Sequence, residues 1–370
     1  MSGGVDSSVA AALLKKEGYE VTGIFFKPWQ PDKGLAFCNW QKDRQDAMAV
    51  AEVLDIPFKT WDFSKEYKNK VGDYMIEAYR QGITPNPDVM CNKEIKFGLF
   101  LKKALKEGAD FIATGHYVRL KATSYKRQAI SKKKISKTYS LKPKAYSLLQ
   151  ALDHNKDQSY FLWTLTQEQL QHCLFPIGDY TKPEVRKLAK KFGLPTFDKK
   201  DSQGVCFIGQ LDMKEFLKKY IKPKKGKIVF GDEVVGQHEG AAYYTIGQRH
   251  GLNISNGGGP YYVSSKDSKK NLIFVIKDEK RLNQKEMLIA NLNWISPQSK
   301  IIHMQDLALQ SGKTIKIRAR YRAEAVSARV IHMQGLALHV GVNKPIRAVT
   351  PGQSVVFYYG EEMLGGGIIQ

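Results

Sequence analysis

The sequence predicts an α/β fold, in which a doubly wound parallel sheet is followed by a small central β-rich domain and a C-terminal β-barrel. Three observations support this expectation. Helix and strand patterns alternate through the first half of the chain, glycine, β-branched and aromatic residues become frequent after about residue 208, and apolar and polar residues alternate from about residue 285. We therefore expect three domains, which cover 1–208, 209–280 and 285–370.

Hydrophobic periodicity places the elements of the first domain. Helices are expected at about 7–17, 43–54, 65–81 and 93–107, and strands at about 19–27, 57–63 and 110–118. Pro183 marks the start of another helix within the helical pattern of 156–195. Ligands of doubly wound sheets bind at the carboxyl ends of the strands, so Ser2–Ser8 and Thr114–His116 are expected at that edge.

The rest of the chain is expected to be all-β. Short strands are predicted at 227–235 and 241–246. Between Ile315 and Tyr321 every second residue is apolar and the intervening residues are basic, which is the pattern of a strand with one buried face. This alternation favours a small barrel at the C-terminus.

Composition limits the classes of protein that fit. The 370 residues contain no run of 18 apolar residues, so we expect no membrane span, and the chain starts directly with a glycine-rich segment, so we expect no signal peptide. The four cysteines, Cys38, Cys91, Cys173 and Cys206, are scattered and form no CxxC pair. Their number and spacing argue against a disulfide scaffold and against structural zinc, and for a reducing, cytoplasmic setting.

The net charge of +22 indicates a polyanionic partner, and we expect nucleic acid. The stretch 119–147 carries ten basic residues and no acidic one, and the remainder of the chain still has a charge of about +12 without them. A basic run alone is more typical of a solvated loop than of a specific site. Because the excess extends over the whole chain, it favours a nucleic-acid substrate.

Residues 2–8, Ser-Gly-Gly-Val-Asp-Ser-Ser, have the composition of a phosphate-binding loop. Gly3 and Gly4 allow a tight turn and close approach to an anion, Ser7 and Ser8 supply hydroxyl donors, and the helix that follows directs its N–H groups at the loop. The spacing differs from GxxxxGK[ST] and the loop has no lysine. It looks like the loop of enzymes that split ATP into AMP and pyrophosphate. The alternative is a turn that only caps the helix.

A second segment, 84–94, combines two prolines with a carboxylate and a thiol. Pro87 biases Asn86 away from helical geometry, and Asp88 and Cys91 are three residues apart, so one helical turn would bring both to the same point. Asp88 could act as a base near the thiol. It could also cap a helix that starts at about residue 92, which is the more common role.

The third segment, 200–209, places Cys206 between glycines and close to lysines. Such surroundings favour a lowered thiol pKa and reactivity. A cysteine beside valine and phenylalanine is also typical of an inert core position. Cys38 and Cys173 lack comparable neighbours, and we interpret both as structural.

Together these signatures resemble the bacterial tRNA-specific 2-thiouridylases of the TrmU family, and the matching segments extend from one end of the chain to the other. They are SGGVDSS (2–8), TPNPDVMCNKEIKF (84–97), ATGHYVR (113–119), DHNKDQSYFL (153–162), LFPIGDYTKPEVRKLA (174–189), KKDSQGVCFIG (199–209), TIGQRHGL (245–252), RYR (320–322) and VTPGQSVVFYYGEEMLGGGII (349–369).

The resemblance implies an adenine nucleotide α-hydrolase-like fold with a PP-loop, and a two-step reaction at wobble uridine 34 of the tRNAs for Lys, Glu and Gln. ATP would adenylate the uracil 2-oxygen, and a cysteine persulfide would then deliver sulfur. Cys206 would hold the persulfide, Cys91 would be the partner thiol that attacks or resolves it through a disulfide, and Asp88 would be the candidate base. A sulfur-carrier protein or cysteine desulfurase would charge Cys206.

The resemblance also implies the binding residues. The ATP contacts would be Ser2, Gly3, Gly4, Val5, Asp6, Ser7, Phe26 and Gly115, with Asp6 the candidate magnesium contact. The tRNA contacts would be Asn86, Pro87, Asp88, His116, Lys156, Asp157, Gln158, Arg320, Tyr321 and Gln353, of which the first three would surround an extruded uridine. His116 could equally be a buried, satisfied histidine.

The sequence departs from the family pattern at three points. Phe26 stands where the family carries methionine, the basic stretch 119–147 is longer, and only Met1 precedes the loop where the family has a short apolar strand. We expect the basic stretch to be a surface insertion that strengthens tRNA binding nonspecifically. Two alternatives stay open: a catalytically impaired tRNA-binding homologue, and another AMP-forming ligase of the same loop class.

Overall fold

The computed structural model describes residues 1–31, 40–123, 145–201, 213–254, 258–296 and 314–370. The predicted fold class is confirmed in them, because an α/β domain with parallel strand pairs is followed by a central four-stranded sheet and a closed barrel. Cys38 and Cys206 lie outside the described residues, as do most of the basic stretch 119–147 and the glycines beside Cys206.

Helices dominate the first domain. The α-helices of the described residues are α1 Val5–Lys16, α2 Trp40–Val53, α3 Ser64–Tyr67, α4 Asp73–Arg80, α5 Pro87–Met90, α6 Leu101–Lys106, α7 Gln167–Leu170, α8 Lys182–Lys191 and α9 Met213–Tyr220. Two π-helical segments, Lys68–Gly72 and Cys91–Phe100, join α3 to α4 and α5 to α6. Short 3₁₀ turns occur at Ser159–Phe161, Ala241–Tyr243 and Glu279–Leu282.

The strands follow in chain order. They are β1 Gly23–Lys27, β2 Phe58–Asp62, β3 Ile112–Ala113, β4 Val118–Thr123, β5 Ala145–Gln150, β6 Cys173–Leu174, β7 Gly226–Phe230, β8 Glu233–His238, β9 Tyr262–Asp267, β10 Leu272–Ile276, β11 Asn283–Trp294, β12 Ile315–Arg318, β13 Val326–Gln334, β14 Ala337–Arg347, β15 Ser354–Tyr359 and β16 Glu362–Ile369.

The parallel strands of the first domain form two separate two-stranded sheets among the described residues. Strand β1 pairs with β2, and β3 pairs with β6, both in parallel register. The predicted strand at 110–118 is confirmed only over the two residues of β3. The amino group of Met1 donates to the carbonyl of Ile24, so the segment that enters the loop runs along β1. Helix α1 packs against α8 through an apolar cluster that includes Val9 and Val185.

The central domain is a four-stranded sheet in the order β8-β7-β10-β9. The predicted strand at 227–235 is a hairpin of β7 and β8, because Gly231 turns the chain with a φ of +61°. The predicted strand at 241–246 is wrong. Gly240 has a φ of +152°, and the chain continues into a 3₁₀ turn whose first amide is bonded by the side chain of Asn271 at 3.0 Å.

The C-terminal domain is a closed six-stranded barrel. Its order is β11-β14-β13-β12-β15-β16, and β16 pairs again with β11 to close the cylinder. Alternate side chains such as Ile315 and Ile317 fill the interior, as the alternation predicted. The β4–β5 hairpin of the first domain adds to the barrel, because Leu148 and Leu149 pair with Met363 and Glu362 of β16.

A shared core joins the first domain to the barrel. One buried cluster contains Leu148 and Trp163 of the first domain together with Val356 and Tyr358 of β15. The Trp163 indole donates to Ser354 Oγ at 3.0 Å inside this cluster. The barrel is therefore packed directly on the domain that carries the loop.

Candidate active site

The loop 2–8 is folded around the first turn of α1. The hydroxyls of Ser7 and Ser8 donate to the Gly4 carbonyl at 3.3 and 2.8 Å, and the amide of Ser2 donates to Ser7 Oγ at 3.1 Å. Helix α1 begins directly after Gly4, whose extended backbone forms the N-cap. The N–H groups of this first turn have no carbonyl partner within the helix, so the loop presents donors to an anion.

Glycine is required at two contacts of this loop. Gly3 has a φ of +72°, and a Cβ there would lie 2.1 Å from the carbonyl oxygen of Asp43. Gly115 packs on the loop itself, because its Cβ would lie 2.6 Å from the amide nitrogen of Ser7 and 2.7 Å from the carbonyl carbon of Asp6. The predicted ATP residues Gly115, Asp6 and Ser7 are therefore in direct contact.

The carboxylate of Asp6 is held by two donors that the sequence analysis did not single out. Tyr117 Oη donates to Asp6 Oδ1 at 2.9 Å, and Lys182 Nζ donates to the same oxygen at 2.7 Å. Burial, and then the charge of Asp6, raise the pKa of Tyr117, so the phenol stays protonated. The side chain of Lys182 is only 10% exposed although it carries a charge.

Three cations converge on Asp201. Lys156, Lys182 and Arg186 all contact its carboxylate, the last two at 2.9 Å from Oδ1. Burial alone would raise the pKa of Asp201, but hydrogen bonds from Lys156 and Lys182 outweigh it and hold the pKa at about 2. A signal existed in the sequence, since Lys182 and Arg186 are four residues apart on α8 and thus share a helix face.

Lys199 attaches the loop to helix α2. Its ammonium group donates to the Gly3 carbonyl at 2.9 Å and to Asp43 Oδ1 at 2.7 Å, and it also contacts Asp46. Burial opposes this charge, but the bonds to the two carboxylates outweigh burial and raise the Lys199 pKa. This lysine was likewise not identified in the sequence.

Cys91 is the first residue of the π-helical segment that continues α5, and α5 itself begins at Pro87. Asn86 is its N-cap, and Asn86 Oδ1 accepts from the amide of Val89 at 3.2 Å. The interpretation of Asp88 as a cap is therefore wrong, because Asp88 lies within the first turn. Asp88 and Cys91 occupy one helical face three residues apart, Asp88 half-buried and Cys91 buried.

Gly115 and His116 connect the loop to this helix. The His116 ring lies 5.8 Å from that of Phe97, on the π-helical continuation of α5, and its Nδ1 is 2.8 Å from Thr114 Oγ1. Burial, and then Lys96, lower the pKa of His116 well below its usual value, so the ring is neutral.

Phe26 provides an apolar surface beside the buried cluster that contains Cys91. Its ring stacks on Tyr67 at a centroid distance of 6.5 Å and an interplanar angle of 18°. Phe26 also packs against the cluster that contains Cys91. The aromatic ring is therefore accommodated at the position where the resemblance anticipated a methionine.

The barrel contributes side chains to the loop before Cys91. Gln353 donates to the carbonyl oxygens of Thr84 and Pro85, and the Tyr321 ring lies 4.4 Å from that of Phe161. Arg320 donates to the Ala348 carbonyl at 2.7 Å. With the central-domain turn 245–248, Arg320, Gln353 and Thr84 line a cavity of about 390 Å³.

Lys156, Asp157 and Gln158 differ in where their side chains point. Lys156 contacts Asp201, as described above. The Asp157 carboxylate is 1% exposed and forms an ion pair with Arg318 at 2.9 Å. Gln158 Oε1 accepts from the amide of Tyr117 at 3.0 Å. The side chains of Asp157 and Gln158 thus make contacts within the protein. Contact of this segment with tRNA stays a prediction.

No group of three or more His, Cys, Asp or Glu side chains that could hold a metal ion occurs in the part of the chain that the structure describes. In that same part, no helix is both long and apolar enough to cross a membrane.

The fold and the site define a PP-loop nucleotide-binding protein of the HUP class with two appended β domains. Family models match along the whole chain: a tRNA methyl transferase HUP domain over residues 1–210, a tRNA methyl transferase PRC-barrel domain over 214–277 and an aminomethyltransferase β-barrel domain over 284–369.

Curated relatives are similar over the full length. The tRNA-specific 2-thiouridylases MnmA of Bacillus cytotoxicus and of Bacillus thuringiensis strain Al Hakam are each 42% identical over 372 residues, which cover 100% of this chain and 93% of those proteins. The chain belongs to the tRNA-specific 2-thiouridylase family. A solved structure titled as a predicted subunit of a tRNA methyltransferase from Methanocaldococcus jannaschii covers 51% of the chain at 18% identity, with a TM-score of 0.27.

Proposed function

We propose that this protein is a tRNA-uridine 2-sulfurtransferase that thiolates wobble uridine 34 of the tRNAs for Lys, Glu and Gln. The observation that carries the proposal is the contact chain from the loop to the cysteine helix. Gly115 packs on the backbone of Asp6 and Ser7, and the adjacent His116 packs on Phe97 of the segment that starts at Cys91. This contact chain supports a shared site for the loop and the Cys91 segment, which adenylation followed by sulfur transfer would require.

In the first step, ATP binds with its phosphates on the N–H groups of the loop. The uracil 2-oxygen attacks the α-phosphorus, the bond to the β-phosphate breaks, and pyrophosphate leaves. The N3 proton of uridine passes to a base, for which Asp88 is the candidate. Magnesium in such sites is held by one or two carboxylates together with phosphate oxygens, and Asp6 fits the carboxylate role.

In the second step, the terminal sulfur of a persulfide on Cys206 bonds to uracil C2, and AMP leaves. The Cys91 thiolate attacks the Sγ of Cys206, and the bond between that Sγ and the transferred sulfur breaks. The thiouracil anion that is released recovers a proton at N3 from the base that removed it in the first step. The products are 2-thiouridine, AMP and a Cys91–Cys206 disulfide, which an external thiol reduces. A persulfide sulfur carrier or cysteine desulfurase then recharges Cys206.

The barrel supports a tRNA substrate. Gln353 donates to the loop before Cys91, and Tyr321 packs on Phe161, whose carbonyl accepts from the side chain of Asn92. The net charge of +22 suits a phosphate backbone. Binding of the wobble base would require its extrusion from the anticodon stack. Because its substrate is tRNA, we infer that the protein works in the cytoplasm.

A reconstituted reaction tests the proposal. Purified protein, ATP with magnesium, a small persulfide donor and unmodified tRNA-Lys are expected to yield 2-thiouridine by nucleoside mass spectrometry, with AMP and pyrophosphate in equal amounts. Release of pyrophosphate without tRNA would indicate another AMP-forming ligase. Binding of tRNA with no affinity for ATP would indicate a tRNA-binding protein without catalysis.

A further inference from the structure

We infer that Lys182 is a catalytic residue that turns from Asp201 to the β- and γ-phosphates of ATP and stabilises the pyrophosphate leaving group. This inference rests on the proposed adenylation step. It assigns a role to a residue that neither the loop motif nor the cysteine segments contain.

The position of the ammonium group supports this role. Lys182 Nζ is 2.7 Å from Asp6 Oδ1, and Asp6 is itself a residue of the phosphate loop. Lys182 lies at the first position of α8, which packs against the loop helix α1, so its backbone is fixed beside the loop. The PP-loop has no lysine of its own, and Lys182 supplies the cation from another element.

The surrounding charges allow the side chain to move. If Lys182 leaves Asp201, that carboxylate keeps Lys156 and Arg186 as partners, and Asp6 keeps the hydroxyl of Tyr117. Each carboxylate is about one third exposed, and neither is then left without a donor, so the movement avoids the cost of an unpaired charge. Asp201 contacts three cations, whereas a single cation is enough to neutralise its charge.

The chemistry requires a cation at this point. When the bond between the α-phosphorus and the bridging oxygen breaks, negative charge develops on that oxygen and on the departing pyrophosphate. A lysine ammonium in a largely water-excluded site stabilises such charge strongly, because the local dielectric is low and the group is already positioned. The side chain of Lys182 is 10% exposed, which meets this condition.

The competing interpretation is that Lys182 only braces Asp6 and Asp201. Two ligands separate the two roles. The analogue α,β-methylene-ATP carries the β- and γ-phosphates and resists cleavage, whereas AMP lacks both. Calorimetric titration of the full-length protein with each ligand, with magnesium and without tRNA, therefore reports on the contact apart from activity.

We expect Lys182→Met to weaken binding of α,β-methylene-ATP about 10- to 100-fold, the usual effect of losing one charged hydrogen bond, and to leave AMP binding unchanged. Lys182→Arg should restore part of the affinity. Lys190→Met, an exposed lysine of the same helix, is the matched control and should change neither ligand. The inference would be overturned if Lys182→Met weakened the binding of both ligands equally, or if it weakened the binding of neither.

Asp201→Asn gives a second test, and its first measurement, on the single variant, does not depend on the folding of Lys182→Met. Removing this competitor should tighten α,β-methylene-ATP binding severalfold, and the gain should vanish in the double variant with Lys182→Met. If Lys182 only stabilises the positions of Asp6 and Asp201, Asp201→Asn should instead weaken the binding of α,β-methylene-ATP. If the unaltered protein binds neither ligand, the adenylation step itself fails; if it binds both and Lys182→Met is silent, only the role of Lys182 fails.

Discussion

The side-chain amide of Gln353 in the barrel lies 2.9 Å from the carbonyl oxygen of Thr84, which opens the loop before Cys91. The same amide nitrogen is 3.1 Å from the Pro85 carbonyl. The backbone amide of Thr84 donates in turn to the Pro351 carbonyl at 3.1 Å. A domain more than 250 residues further along the chain thus fixes the backbone that leads to the candidate thiol.

Gln353→Ala is expected to loosen this loop. The variant loses two neutral hydrogen bonds, each worth about 1 kcal/mol, so kcat/KM for tRNA should fall about 5- to 30-fold if the loop positions the uridine. Gln353→Glu should be more severe, because a carboxylate cannot donate to carbonyl oxygens. Steady-state thiolation assays measure both variants. Gln370→Ala, at an exposed glutamine of the same domain, is the control, and equal activity of all variants would refute the coupling.

Gly115→Ala is expected to disrupt the ATP site. A methyl group there would overlap the backbone of Asp6 and Ser7, and a backbone cannot move aside as a side chain can. Overpacking of this kind costs about 1–3 kcal/mol, so ATP affinity should fall about 5- to 150-fold. Calorimetric titration with ATP measures it. Gly236→Ala, where the nearest atom would be 3.4 Å away, should bind ATP normally, and unaltered binding by Gly115→Ala would contradict the proposed contact.

Cys91→Ser and Cys206→Ser are each expected to abolish 2-thiouridine formation. Serine cannot carry a persulfide or complete a disulfide, so the second step stops. Cys173→Ser is the control, because Cys173 is buried in β6 and burial raises its thiol pKa to about 12, which keeps it unreactive. Nucleoside mass spectrometry of the reaction products measures the outcome. Full activity of either Cys91→Ser or Cys206→Ser would overturn the assigned roles.

Lys266 is expected to make stability depend on pH. Its ammonium group donates to the Tyr244 carbonyl at 2.6 Å, and burial lowers its pKa from 10.5 to about 8. Between about pH 8 and 10.5 the unfolded chain therefore binds more protons than the folded one, and the unfolding free energy rises with pH.

Denaturant titrations of Lys266→Met at pH 7 to 10 test this expectation. The variant should lack the rise, so that the wild type gains up to about 3 kcal/mol relative to it over this interval. Lys269→Met, at an exposed lysine nearby, should follow the wild-type curve. Parallel curves for Lys266→Met and wild type would rule out a depressed pKa.

Replacement of residues 124–144 by Asn-Gly is expected to weaken tRNA binding nonspecifically. The change removes eight basic residues and leaves β4 and β5 to pair through a two-residue turn. The slope of log Kd against log salt should become shallower, because fewer counterions are released. Filter binding at 50 to 200 mM salt measures it. Identical affinity and slope would show that the segment takes no part.

The helices of the first domain could be predicted because local periodicity determines them. Their starts could not, because capping depends on single backbone geometries. Gly4 caps α1 at Val5, and Asn86 caps α5 at Pro87, so both helices begin earlier than the apolar pattern indicates. The sequence predicted a barrel but not which strands close it, because the closing pair, β11 and β16, lies far apart in sequence.

The loop and the cysteine segment could be identified because each is a short contiguous motif. The charged groups around the loop could not. Lys182 approaches Asp6 across 176 positions of the chain, and Asp201 joins them from a third segment. Such an arrangement is created by the packing of α1 on α8, and the apolar periodicity of either helix says nothing about the polar groups at its ends.

The β4–β5 hairpin leaves the first domain two residues after His116 and pairs along six residue couples, with Thr123 opposite Ala145 at its outer end. Because the two strand ends are already held side by side, the entropy of closing a segment between them grows only with the logarithm of its length, about 0.6 kcal/mol per doubling. A foreign segment can therefore be inserted between Thr123 and Ala145 at little cost in stability. A fluorophore-carrying peptide or an affinity tag could be inserted there with both ends of the polypeptide left unaltered.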